Sequence, residues 1–397
     1  MLTSRQLFLL NTAQTSSFPR SLEIERAEGM YLYDPEGKMY MDLVSGFAVS
    51  NTGHRHPKVV KAIKDQVDKY LHLTVYGEYI QSPQVKFAEK LASVLPPALH
   101  SVYFVNSGTE ATEGAMKLAK RYTGRSNIIA CTNSYHGSTQ GALSVMGNEY
   151  YKQAYRPLLP GISFIAFNEL ADLHQIREET AAVIVETIQG EAGIRTPSPE
   201  YMLQLRDKCD QTGALLILDE IQTGFGRTGK LFGFEHFGIA PDILLLAKGM
   251  GGGMPIGAFI SSSAIMCVLK ENPILGHITT FGGHPVSCAA GLANLEVILE
   301  ENLMADVHLK EKLFRKLLQH PKIKEVRGKG LMLAIQFDSF KQVENVSKRC
   351  LENGIIIDWF LHCDTALRLA PPLIITEDEI HKACAVIVEA IEFHGAL

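Results

Sequence analysis

Ile243-Leu244-Leu245-Leu246-Ala247-Lys248-Gly249-Met250-Gly251-Gly252-Gly253 is the stretch that decides the fold of this chain. An unbroken apolar run closed by glycines reads as a strand buried on both faces, the kind that fills a parallel sheet. Lys248 ends that run. Most lysines are solvated surface charges, and a strand-end lysine can snorkel its amine to water. The run alone leaves that plainer use open; an amine held in such a place is desolvated, which favours its neutral form. A neutral lysine amine is a nucleophile suited to Schiff-base chemistry with an aldehyde.

A second apolar run over 214–218 ends in Asp219-Glu220. Two such strand ends are expected side by side at the carboxyl edge of one sheet, where ligands bind in open α/β folds. An amine and a carboxylate placed there are the two partners that pyridoxal phosphate needs. The lysine takes the aldehyde, and the carboxylate keeps the ring nitrogen protonated. The plainer use of Asp219 is as a cap or turn residue after the strand. A third stretch, Asn106-Ser107-Gly108-Thr109-Glu110-Ala111, follows a strand over 102–105 and opens a helix to about Arg121. The N–H groups of that helix start, with two hydroxyls and a glycine that permits close approach, form an anion site. Ser107 and Glu110 also spell a capping box.

Strands over 102–105, 127–131, 181–186, 214–218 and 243–247 alternate with helical patterns. One helix is expected over 57–70, with Val59, Val60, Ile63, Val67 and Tyr70 on its apolar face, and another over 199–212. Such alternation is the signature of an α/β fold with a largely parallel sheet covered on both faces. After about Ala293 the pattern shifts to a helix over 303–320, a strand over 331–337 and a helix over 343–353. A last helix starts at Thr376, whose Thr-x-x-Glu box reaches Glu379. With 397 residues the chain exceeds one compact core. The expected division is a segment 1–50, a large domain 51–293 and a smaller α+β domain 294–397.

A formal charge of −5 without any long Lys/Arg block gives no nucleic-acid footprint and no membrane arm. No apolar stretch approaches the length of a membrane span, and the apolar patch after Met1 is too brief for a good signal peptide. Seven dispersed cysteines without a CxxC pair suggest reduced thiols and a cytoplasmic setting. Gly224-x-Gly226-x-x-Gly229 matches the dinucleotide fingerprint in letters only. It does not sit in a tight turn after the strand, and no helical period follows. A nicotinamide oxidoreductase is set aside on that ground. His54, His56 and His136 make no closed zinc set, so no metal is expected.

These motifs carry a resemblance. Ser107-Gly108-Thr109-Glu110-Ala111, Tyr135-His136-Gly137, Asp219-Glu220-Ile221-Gln222-Thr223-Gly224, Lys248 and Thr279-Thr280-Phe281-Gly282-Gly283 resemble, in order and rough spacing, the class-III pyridoxal-phosphate aminotransferases, most of all the acetylornithine and ornithine branch. The likeness runs from about Gly29 to the last helix. It implies the fold of type I pyridoxal-phosphate transferases, with a large domain built on a mainly parallel seven-stranded sheet and the N-terminal segment packed on the small domain. It also implies pyridoxal 5'-phosphate as cofactor, Lys248 and Asp219 as catalytic residues, and ping-pong transfer of an ω-amino group to 2-oxoglutarate. Ser107, Gly108, Thr109, Tyr135, His136, Glu186, Gln222 and Thr280 would contact the cofactor. Tyr135 would stack on the ring and Gln222 would bond its phenolic oxygen. Thr280 would reach the phosphate in the neighbouring subunit, which implies a homodimer with shared sites. Arg368 would clamp the carboxylate of glutamate or 2-oxoglutarate, Glu191 would pair with Arg368 when no dicarboxylate is bound, and Phe47 would face the substrate.

Three positions depart from the branch. His136-Gly137-Ser138-Thr139-Gln140 lacks the arginine usual near that motif, Phe47 stands where ornithine enzymes tend to have tyrosine, and His284 replaces an asparagine. A 4-aminobutyrate or diamine donor therefore fits as well as acetylornithine. An aminomutase of the same fold would isomerise one substrate without an oxo acid, and a decarboxylating relative would release carbon dioxide.

Overall fold

The computed structural model describes residues 2–392. Near the N-terminus three short strands form a meander: β1 (Arg26–Glu28), β2 (Tyr31–Tyr33) and β3 (Met39–Asp42). The large sheet follows, built from β4 (Ser101–Val105), β5 (Asn127–Cys131), β6 (Ile162–Ile165), β7 (Thr180–Glu186), β8 (Leu215–Asp219), β9 (Ile243–Leu246) and β10 (Gly257–Ser261). Its order is β4-β10-β9-β8-β7-β5-β6. The strands from β9 to β6 pair in parallel. Strand β10 runs antiparallel to both β4 and β9. The α/β fold expected from the sequence is present, with two strands, β6 and β10, that were not foreseen.

Strands β7, β8 and β9 are buried along their whole length, which is why their sequences are apolar without alternation. The helices Ser82–Ser93, Pro199–Thr212 and Pro285–Glu300 supply Phe87, Leu91, Tyr201, Leu205, Leu295 and Ile298 to the core on one face. The helix Gly108–Thr123 covers the other, with Ala111, Ala115, Leu118 and Ala119. On the helix Pro57–Val67, Val59 is buried, Val60, Ile63 and the following Tyr70 are half-buried, and Val67 is exposed. The expected apolar face is thus only partly covered within one chain.

The C-terminal part carries β11 (Glu325–Lys329), β12 (Met332–Gln336), β13 (Ile355–Ile356), β14 (Asp358–Phe360) and β15 (Cys363–Leu369). Strands β11, β12, β15 and β14 form one sheet, while β13 pairs in parallel with β3. Met30, Met41 and Leu43 share a core with Phe314, Leu333, Leu369, Ile380 and Ile387. The long helix expected over 303–320 is shorter, Val307–Leu317, because turns occupy the residues before it. At the last helix the expected box is complete. The Thr376 N–H donates to Glu379 at 2.8 Å, and the Glu379 N–H donates to the Thr376 hydroxyl at 3.3 Å. Among the described residues no helix is long and apolar enough to cross a membrane.

Candidate active site

The register of the central strands places the two key ends together. Asp219, the last residue of β8, lies opposite Leu245 of β9, three residues before Lys248. The chain turns sharply at Lys248, whose φ is 46°, a left-handed value that a residue with a side chain adopts only under constraint. Lys248 and Asp219 line a cavity of about 520 Å³ with Ser107, Gly108, Thr109, Tyr135, His136, Glu186 and Gln222. The lysine stem is partly open to this cavity. Its amine is nonetheless enclosed, and burial pushes its pKa below the ordinary lysine value. Glu191 and Asp219 oppose that shift, and Arg368 adds to it.

Asp219 does more than close a strand. One carboxylate oxygen accepts the Ile221 N–H at 2.9 Å, and the other lies 2.7 Å from Nδ1 of His136. His136 is buried, and its Nε2 has no partner. Its Nδ1–H donates to the carboxylate, so the ring fixes the direction in which Asp219 faces the cavity. Glu186 sits beside this pair. Its two oxygens accept the Tyr135 N–H at 3.0 Å and the Gly190 N–H at 2.8 Å. It thereby anchors both the aromatic at the cavity wall and the turn that carries Glu191.

Burial and the charge of Asp219 push the Glu186 carboxyl up to about 7, against His136 and the two N–H donors. Its folded-state pKa therefore lies above the ordinary carboxylate value. The stability this supplies is complete below about pH 4.3 and is lost as pH rises through about 7. Urea unfolding of the cofactor-free chain at pH 5 and pH 8 is expected to lose on the order of 3 kcal/mol across that range. Glu186→Gln should flatten the slope. An unchanged slope would assign the bound proton to another group.

At the helix start, the Ser107 hydroxyl accepts the Glu110 N–H at 3.3 Å. The return half of the expected capping box is shifted by one residue. The Glu110 carboxylate takes the Asn106 N–H at 2.8 Å and the Asn106 side-chain amide at 2.9 Å. This leaves the Ser107–Thr109 backbone bordering the cavity at a helix start, where backbone N–H groups favour an anion.

Arg368 and Glu191 form a buried ion pair, Nη2 to Oε2, at 2.6 Å. Gln222 Nε2 donates to the other Glu191 oxygen at 3.2 Å, and the Leu361 N–H donates to Oε2 at 3.0 Å. The guanidinium stacks on Phe47 at 5.1 Å and on Phe360 at 4.5 Å. Burial alone would raise the Glu191 pKa, but the Arg368 charge and hydrogen bond outweigh it and hold the carboxyl at about 2. Thr280 is exposed on a surface loop and does not border the cavity of its own chain. His54 pairs with Asp42 and His56 with Glu301.

Glu220 has a structural role that no sequence pattern could assign. It is fully buried, and its carboxylate accepts from the Thr187 and Thr223 hydroxyls and from the N–H groups of Gly233 and Phe234. It ties the strand ends under the cavity to the loop beyond them. Strand alternation signals that Asp219 and Glu220 point to opposite sides, but not which of them faces the ligand.

The family model described as aminotransferase class-III matches residues 12–391. The chain belongs to the class-III aminotransferases. An acetylornithine aminotransferase from Caldanaerobacter subterraneus is 39% identical, covering 98% of this chain and 99% of that protein. Another from Methanopyrus kandleri is 40% identical over 96% of each. Among solved structures, the ornithine aminotransferase from Toxoplasma gondii superposes with a TM-score of 0.91 at 30% identity, over 98% and 95% of the two chains. The adenosylmethionine-8-amino-7-oxononanoate aminotransferase from Methanocaldococcus jannaschii gives 0.91 at 32% identity, over 98% of each. Class-III aminotransferases use pyridoxal phosphate, and the cavity fits it. It offers an enclosed amine, a carboxylate oriented by a histidine, and a helix start with two hydroxyls. The protein is an aminotransferase.

Proposed function

We propose that this class-III aminotransferase moves the ω-amino group of acetylornithine, or of a closely related ω-amino acid, to 2-oxoglutarate in two half-reactions at one pocket. When bound, pyridoxal phosphate supplies the reactive aldehyde and a cationic ring that draws electrons from the carbon losing its proton. Lys248 would hold the cofactor, and its Nζ, freed by the incoming amine, would take the proton from the donor carbon and return it, as base and then as acid. Asp219, aimed by His136, would hold the ring-nitrogen proton. Ser107, Gly108 and Thr109 would bind the phosphate, Tyr135 would pack on the ring, and Gln222 would bond the ring oxygen.

The observation that carries this reading is the Glu191–Arg368 pair beside the Lys248 cavity. It lets one pocket take two kinds of substrate. With the pair closed, the pocket wall is neutral and accepts an amine-first donor. A dicarboxylate competes for Arg368 and opens the pair. Phe47 supports a second reading of the donor. It stacks on Arg368 and offers no hydroxyl, so 4-aminobutyrate or a diamine would meet no lost contact there. The test is a panel of amino donors with 2-oxoglutarate, reading glutamate formed. Product from a single substrate without any oxo acid would point to an aminomutase. Borohydride reduction followed by peptide mapping is expected to place the pyridoxyl group on Lys248. Its recovery on another lysine would end the assignment of Lys248.

The same reading includes a homodimer with shared sites. Ile80 is 95% exposed and Phe281 52% exposed, and Thr280 lies next to Phe281. A second copy covering these exposed apolar side chains would bring Thr280 to the partner's phosphate site. The seven free thiols fit a reducing cytoplasm.

A further inference from the structure

Arg227 has no exposed surface and is the largest side chain so enclosed among the described residues. Taking a guanidinium out of water costs several kcal/mol unless its donors are used, and among the described residues no carboxylate bonds this one. Its Nη1 and Nη2 donate to neutral acceptors on three separate parts of the chain, while Nε is buried without a partner among the described residues. Nη1 donates to the Leu331 carbonyl at 3.0 Å and to the Pro371 carbonyl, and Nη2 donates to the Asn51 side-chain oxygen. The Leu331 N–H returns a bond to the Arg227 carbonyl at 3.0 Å.

The position of those acceptors is what matters. Leu331 directly precedes β12, and Pro371 lies just past the end of β15. These two strands pair antiparallel, with Ala334 opposite Arg368. One planar group therefore holds the start of one strand and the end of its neighbour. It sits on the segment that begins at Asp219 and passes through Gln222, whose amide lies 3.5 Å from Arg368 and 3.2 Å from Glu191.

The glycine pattern that mimics a dinucleotide fingerprint finds its use here. Phe225, Gly226 and Gly229 have φ of 58°, 88° and 89°, so the chain turns sharply around Arg227. A Cβ on Gly226 would come within 2.8 Å of the Leu373 side chain, and one on Gly330 within 2.7 Å of the Arg227 carbonyl. Both glycines permit the close approach on which the guanidinium contacts depend.

We infer that Arg227 is a positioning residue for dicarboxylate recognition: it sets where the β12–β15 pair, and with it Arg368, stands relative to the Lys248 cavity. The inference rests on the reading of Arg368 as the carboxylate clamp. Arg227→Met holoenzyme is expected to raise the KM for 2-oxoglutarate about tenfold, equivalent to about 1.4 kcal/mol. The single-turnover rate with an amine donor that has no second carboxylate should change much less. Arg227→Lys, a point donor in place of a planar fork, should fall between the two. Should Arg227→Met fail to fold, Asn51→Ser removes this one acceptor together with the Nδ2 bond to the Phe225 carbonyl at 2.8 Å, and is expected to shift the same KM in the same direction. Variants with full cofactor content and an unchanged 2-oxoglutarate KM, or with equal losses for amine and oxo acid, would overturn the inference. Arg368→Ala belongs in the same series. If it leaves that KM unchanged, the clamp reading itself is wrong. If it raises the KM while the Arg227 variants do not, only the role of Arg227 falls.

Discussion

Replacing Asp219 by asparagine is expected to lower turnover by roughly 10²- to 10³-fold, while much of the cofactor stays bound. The range is what removing one preorganised electrostatic contact costs when charge develops in a low-dielectric site. The substitution keeps the shape of the side chain, and the amide oxygen can still accept from His136 Nδ1, 2.7 Å away in the parent. It removes the negative charge that favours a proton on the ring nitrogen. That charge acts most strongly as the reacting carbon loses its proton, so the loss should fall on the rate and not on affinity. His136 predicts a companion result. His136→Phe leaves Asp219 unaimed, so its effect should resemble a weaker Asp219→Asn and should add little to it, as expected for two residues acting as one unit. Cofactor content read by absorbance and single-turnover rates separate binding from chemistry. Near-normal turnover in Asp219→Asn would mean that another group controls ring protonation.

The residues that could be read from sequence are those that end an apolar strand. Strands β8 and β9 are short runs buried on both faces, so Asp219, which ends β8, and Lys248, two residues past β9, stand out as the first polar residues of their runs. The direction of β10 was not legible. Its residues Gly257-Ala258-Phe259-Ile260-Ser261 have strand character, but antiparallel placement between β4 and β9 depends on how the glycine turn after Lys248 reverses the chain. The meander β1–β3 and the two-residue β13 are too short to show a period, and β13 gains its place only by pairing with β3, more than 300 residues away. The bond between His136 and Asp219 joins positions 83 residues apart. The glycine fingerprint could be set aside but not put to use, because glycine marks a sharp turn without saying what the turn encloses. Here it encloses an arginine, a residue type whose burial no local pattern announces.

Arg368→Ala is expected to damage the half-reaction with 2-oxoglutarate far more than the half-reaction with an ω-amino donor. Losing the partner of a buried charge costs about 2–5 kcal/mol, or roughly 30- to 5,000-fold. The dicarboxylate would meet that loss in full, because among the described residues no other cation bonds to Glu191 or Gln222. The amine-first donor enters against a wall that is neutral with the pair closed. Acidity does not open the pair in ordinary assays. The Glu191 carboxyl is held at about 2, so the stability its ionisation supplies is complete above about pH 4.3 and fades only as pH falls towards 2. On the proposed reading, opening then comes from competition by a substrate carboxylate for the same guanidinium. Glu191→Ala should then act in the opposite sense to Arg368→Ala. It leaves Arg368 free, which favours α-amino donors whose carboxylate lies next to the reacting amine. It also strands a buried charge, so the variant should melt at a lower temperature. Stopped-flow rates of each half-reaction, taken separately for the two variants, decide the matter. Equal damage to both halves in Arg368→Ala would mean that Arg368 seats every substrate, and competition between Glu191 and the dicarboxylate would have no part in selecting them.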